Sequence, residues 1–169
     1  ADPRLGLAGS SYLERMHGAV TGRPPEIDLE LERAVQGFLR QAISQALVRS
    51  AHDLSDGGLA VAAAESCMAS GLGAHLELPS SGARLDRLLF AEGGARILVS
   101  VAPAQTAAWQ QALDAAAIPA QCLGVVEDDA ELSISQAGSQ LLQLPVAQLR
   151  DRFEQAIPRR MGVDLPPTN

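Results

Sequence analysis

Eight apolar residues, Leu31, Ala34, Val35, Phe38, Leu39, Ala42, Ile43 and Ala46, recur at spacings of three and four. The pattern predicts an amphipathic helix of about five turns with a single stripe to bury. Asp28 is placed to cap it, and Glu30, Arg33, Arg40 and Gln41 occupy its outer face. Such a helix needs another layer against which to close its stripe. Strand-like segments supply one. Ala74, Leu76 and Leu78 alternate with His75 and Glu77 up to Pro79, which marks a half-buried strand. Arg96 to Val101 is a β-branched run that reads as a central strand. Helical and extended segments interleave along the chain, so the expected class is α+β, a layered α/β/α sandwich with a mixed sheet.

The remaining segments fit between these. Ala1 to Gly9 has no period and reads as linker from a longer polypeptide. Ser11 with Glu14 suggests a capping box opening a short helix that stops near Gly18, and Gly22-Arg23-Pro24-Pro25 forces a turn. Val48 to Asp53 reads as a short strand, followed by a tight turn and a helix through Leu59, Val61, Ala62, Glu65 and Met68 that Gly71 stops. Arg84 to Glu92 and Ala104 to Ala117 read as helices, and Gln121 to Val126 as a strand. Leu132 to Ser135 and Leu141 to Leu144 are expected to form a hairpin turning at Ala137-Gly138. Val146 to Ala156 closes the domain as a helix. The organisation expected is residues 1–27 as linker and short helix, 28–162 as one domain and 163–169 as a loose tail.

Composition narrows the function classes. Of 169 residues, 47% are apolar and 20% charged, so a packed core is expected rather than disorder. The net charge of −7 and the lack of a basic stripe argue against nucleic acid, whose phosphates are bound by clustered cations. All thirteen cations are Arg, so a Walker-type phosphate loop, which needs Lys, is excluded. Cys67 and Cys122 form no C-x-x-C pair and read as two reduced, buried thiols. No basic-then-apolar leader and no apolar run of about 18 residues is seen, so a cytoplasmic location without a membrane is expected.

Chemistry concentrates in Ala51-His52-Asp53-Leu54-Ser55-Asp56-Gly57-Gly58-Leu59-Ala60. It places two carboxylates, an imidazole and two glycines at a strand-to-helix corner, where N–H groups favour an anion and glycine permits close approach. Carboxylates beside a phosphate make sense when Mg²⁺ lies between them. The structural alternative is that Ser55 or Asp56 caps the helix, His52 is a hydrogen-bonded structural residue and the glycines only permit the turn. The residue types leave both readings open.

The H-D-x-S-D-G-G-L-A run resembles the second half of the large subunit of the phosphoribosylformylglycinamidine synthase family. Gly9-Ser10-Ser11-Tyr12-Leu13, His17-Gly18, Gly22 to Asp28, Leu89-Phe90-Ala91-Glu92-Gly93-Gly94-Ala95-Arg96 and Ile157 to Met161 are similar to further segments of that subunit. The resemblance implies an aminoimidazole ribonucleotide synthetase-like C-terminal domain. The whole enzyme would be an ATP-dependent carbon–nitrogen ligase. It would convert formylglycinamide ribonucleotide, ATP and glutamine-derived ammonia to formylglycinamidine ribonucleotide in purine biosynthesis, with this chain inactive alone.

The resemblance further implies Asp53 as a Mg²⁺ ligand. Asp56, Gly57, Gly58, Glu92 and Gly93 would face ATP or ADP, and no residue would be catalytic. Gly93 stands where the family usually has Ser, which leaves only backbone at that position. The implied partners are the preceding domains of the same polypeptide, a glutaminase subunit and a small bridging subunit, with a homodimer for the isolated domain. A stand-alone nucleotide- or partner-binding module of the same superfamily is the alternative. His75 and His17 read as structural or surface residues, Glu65 as a buried, paired carboxylate and Glu127-Asp128-Asp129 as a solvated turn.

Overall fold

A computed structural model of the chain describes residues 3–163. The chain forms seven α-helices and six strands among the described residues: α1 Ser11–His17, α2 Leu29–Ser44, β1 Ser50–Asp53, α3 Gly58–Ser70, β2 Gly73–Leu78, α4 Leu85–Phe90, β3 Ile97–Ser100, α5 Thr106–Ala116, β4 Gly124–Glu127, β5 Glu131–Gln136, β6 Ser139–Pro145, α6 Val146–Glu154 and α7 Ala156–Arg160. Among the described residues they divide into two compact units, residues 3–62 with 81–122 and residues 63–80 with 123–163. Of the loose tail expected at residues 163–169, only Val163 is described, its N–H donating to the Pro158 carbonyl at 2.9 Å; residues 164–169 and the first two linker positions, residues 1–2, lie outside the described residues.

In the first unit, Ser10 rather than Ser11 caps α1. Its hydroxyl accepts the Leu13 N–H at 3.3 Å and donates to the Leu7 carbonyl at 2.6 Å. That pair of bonds explains the shift by one residue, because only Ser10 has the extended backbone that a cap requires. The segment expected as linker is held in place, with a 3-10 turn at Pro3–Leu5 and a buried Leu7. Helix α2 is capped by Asp28, whose carboxylate accepts the Leu31 N–H at 2.9 Å. Its stripe is covered in part. Ala42 is buried and Phe38 meets Trp109 of α5 with ring centroids 5.3 Å apart, while Ile43 stays exposed.

Strand β3 is not a central strand. It pairs with β1 alone in a two-stranded antiparallel sheet, Asp53 opposite Ile97 and Ser50 opposite Ser100. All four of its residues are half-buried, which satisfies a β-branched run without a second neighbour.

The second unit carries the mixed sheet, in the order β4-β2-β5-β6. Strand β2 runs parallel to β5 and antiparallel to β4, and β5 and β6 form the expected hairpin through Ala137-Gly138. Leu78, Leu132 and Ile134 are its most completely buried large side chains. Each stabilises the fold by about 1.5–3 kcal/mol. The strand expected from Gln121 starts later, at Gly124, although the Leu123 carbonyl already accepts the Glu77 N–H at 2.7 Å.

The closing helix is broken at Gln155 into α6 and α7. Pro158 lies in the first turn of α7, where its missing N–H leaves no bond unmade. Helix α3 begins in the first unit and ends in the second, and it is apolar apart from Glu65, Ser66 and Ser70. The class is therefore α+β with a mixed sheet, as expected, with a second small sheet that periodicity alone does not reveal.

Candidate functional site

The D-L-S-D-G-G corner leaves the small sheet at Asp53 and opens helix α3 at Gly58. The ladder between β1 and β3 continues one step past Asp53, where the Leu54 N–H donates to the Arg96 carbonyl at 3.0 Å. A turn follows, closed by the Gly58 N–H on the Ser55 carbonyl at 2.9 Å. Leu54 is buried and Ser55 and Asp56 are exposed, so a polar tip stands on an apolar base. The Asp53 side chain is 74% exposed.

Glu92 belongs to the same corner, although 35 residues separate it from Gly57. Its Oε1 accepts the Gly57 N–H at 2.7 Å and the Ser11 N–H at 2.9 Å. The carboxylate thus occupies an N–H that the sequence leaves available for a phosphate. The loop bearing it is fixed on both sides. Arg96 Nη1 donates to the Ala91 carbonyl at 3.0 Å, and the Ala95 N–H donates to Glu32 of α2. Tyr12 of α1 stacks on Phe90 just before the loop, with centroids 4.6 Å apart and planes 9° apart.

The glycines are demanded by the chain itself. Gly57 and Gly58 have φ of +80° and +63°. A Cβ on Gly58 would lie 2.7 Å from the Ala91 carbonyl oxygen, and one on Gly57 would lie 2.3 Å from a methyl of Val61. At Gly93 a Cβ would lie 2.0 Å from the Arg4 carbonyl oxygen. The Pro3–Leu5 turn therefore passes Gly93 too closely to leave room for a side chain.

Of the six expected site residues, five meet at the corner: Asp53, Asp56, Gly57 and Gly58 by succession, and Glu92 by its bond to Gly57. Gly93 faces Arg4. Among the described residues, no group of three or more His, Cys, Asp or Glu side chains converges to hold a metal. A cavity of about 290 Å³ lies between α2 and α5, lined by Phe38, Ala42, Leu47 and Ala116 among others, and includes none of the six. Ser11 and Arg96 fix this corner through their backbone groups, a role with no local signal in the sequence. Both lie in the segments that carry the resemblance, which was the only available signal.

The other candidates resolve as structural. His52 Nδ1 lies 2.7 Å from the Asp53 carbonyl oxygen. His75 bridges Ser133 Oγ, 2.7 Å from Nδ1, and Asp129 Oδ2, 2.6 Å from Nε2. Asp129 is therefore a bonded partner rather than part of a merely solvated turn. Glu65 is half-buried rather than buried. Cys67 is buried as expected, whereas Cys122, just before β4, is exposed.

The sequence profile of the C-terminal domain of AIR synthase related proteins matches residues 2–136. This chain belongs to that family. Among its relatives, the phosphoribosylformylglycinamidine synthase subunit PurL of Prochlorococcus marinus (strain MIT 9303) is 68% identical over 170 residues, which cover 97% of this chain and 21% of that protein. The AIR synthase related domain thus spans about a fifth of the length of the curated relatives it matches. Two structures of the Thermotoga maritima PurL share its fold. The complex with FGAR gives a TM-score of 0.63 at 18% identity, covering 70% of this chain and 21% of that one. The complex with ATP gives 0.65 at 17%, covering 85% and 24%. No helix among the described residues is long and apolar enough to cross a membrane.

Proposed function

We propose that this AIR synthase related domain is one lobe of the large subunit of a phosphoribosylformylglycinamidine synthase. The observation that carries the reading is 68% identity to a subunit of that name over nearly the whole chain. The enzyme is an amidine-forming, ATP-dependent carbon–nitrogen ligase of purine biosynthesis, acting in the cytoplasm. Its substrates are formylglycinamide ribonucleotide, ATP and ammonia released from glutamine. Residues 28–162 form the lobe and residues 1–27 the connection from the preceding domain. The other partners are a glutaminase subunit and a small bridging subunit. Separated from them, the chain is inactive and forms a homodimer, for which exposed Phe153, Ile157 and Met161 offer apolar surface.

The lobe contributes to a nucleotide site at the D-L-S-D-G-G corner. Asp53 is the Mg²⁺ ligand. Its exposed carboxylate fits that role, because Mg²⁺ usually takes one or two carboxylates and fills its other positions with water and phosphate oxygens. When bound, the ion supplies neutralising charge between carboxylate and polyphosphate. Asp56, Gly57 and Gly58 shape the loop facing the phosphates, with Glu92 and Gly93 behind it.

The test compares the 169-residue chain with the polypeptide that joins it to the remaining domains. Both receive formylglycinamide ribonucleotide, ATP, Mg²⁺ and an ammonia source. Product from the longer polypeptide and none from the chain alone is expected. Sustained turnover by the chain alone, or none by the longer polypeptide, contradicts the reading.

A further inference from the structure

We propose that Glu92 is the positioning residue of the corner, acting through two backbone N–H groups rather than through a ligand. The segment from Leu54 to Gly57 is held at both ends by one loop. At the near end the Leu54 N–H donates to the Arg96 carbonyl at 3.0 Å, and at the far end the Gly57 N–H donates to Glu92 Oε1 at 2.7 Å. Ser55 and Asp56, both exposed, stand between the two pins, and Asp53 lies immediately before the first. The backbone that carries these side chains is therefore pinned by Glu92 and Arg96.

A carboxylate oxygen suits the task, since its lone pairs let one atom accept two N–H groups at once. The same oxygen accepts the Ser11 N–H at 2.9 Å, which joins the start of α1 to the corner. With two donors on Oε1, that oxygen is committed to backbone. The close run of residues 89–91 past Gly58, where no Cβ fits, keeps Glu92 in reach. The inference rests on the proposed nucleotide site for its functional consequence. Its structural half stands apart from that reading.

The experiment uses two variants and two readouts. In Glu92→Gln the amide oxygen can accept both N–H groups, whereas Glu92→Ala has no acceptor. In the 169-residue chain, hydrogen exchange at the Gly57 and Ser11 amides should accelerate in Glu92→Ala and stay near wild type in Glu92→Gln. In the longer polypeptide, Glu92→Ala should weaken Mg·ADP binding about tenfold while Glu92→Gln stays within about threefold. Equal loss of affinity in both variants with amide protection kept in Gln would show a direct ligand and overturn the proposal. Unchanged affinity in Ala despite faster exchange would overturn it too. If wild type binds no Mg·ADP, the nucleotide reading has failed. The exchange comparison then decides alone: faster exchange in Ala only supports Glu92 as the pin, and unchanged exchange overturns it. Should the Ala variant not fold, Glu92→Asp, which withdraws the oxygen by one methylene, takes its place with the same outcomes.

Discussion

His75 Nε2 and Asp129 Oδ2 lie 2.6 Å apart, tying the middle of β2 to the turn that leads into β5. The bond from His75, assisted by the Glu131 N–H, holds the Asp129 carboxyl below the ordinary aspartate value. Glu77 on the same strand is held low first by the Ser135 hydroxyl and then by backbone N–H groups of the hairpin turn.

A depressed folded-state pKa stabilises the protein above the unfolded value and ceases to do so as pH falls through the folded one. Asp129→Asn should therefore be less stable than wild type at neutral pH. The difference should close below about pH 4, the ordinary aspartate range. Denaturant midpoints measured across pH check this. A difference that persists unchanged into strong acid would show that the carboxylate charge is not what the bond uses.

Gly58 and Gly138 both have positive φ, +63° and +74°, but only Gly58 is crowded. Gly138→Ala should cost about 1–2 kcal/mol for the left-handed backbone. Gly58→Ala should cost about 1–3 kcal/mol more, because its Cβ meets the Ala91 carbonyl. The chain already keeps Ala46, Ala95, Ala117, Ala130 and Ala137 at φ near +50°, so backbone conformation alone does not forbid alanine. Equal destabilisation of the two variants in chemical denaturation would remove the steric account.

The two thiols should differ sharply toward a soluble disulfide reagent. Cys122 is exposed, while Cys67 is buried and its pKa is raised, first by burial and then by the nearby Asp129 charge. The thiolate is the reactive form. One equivalent should react quickly in the native protein and the second only on unfolding. Two fast equivalents would contradict the burial of Cys67.

What the sequence made legible was local. The three-and-four spacing located α2, alternation located β2, and Ala137-Gly138 located the hairpin. The number of neighbours a strand has is not local. The β-branched run of β3 signals burial, which one antiparallel partner and packing on its faces already provide. The contiguous part of the corner, Asp53 to Gly58, could be read directly. The bonds from Glu92 to Gly57 and Ser11 span 35 and 81 residues and leave no pattern in either segment. The offset of the α1 cap from Ser11 to Ser10 is of the same kind, since two adjacent serines are chemically alike and the bond to Leu7 selects one.

The proposed role of Asp53 as Mg²⁺ ligand is tested most directly by Mg·ADP binding to the polypeptide that joins this lobe to its preceding domains, for wild type and Asp53→Asn. The account predicts binding weakened at least about tenfold with Mg²⁺ present, and no difference between the two proteins when the ion is chelated. Equal affinities with Mg²⁺ present would contradict it.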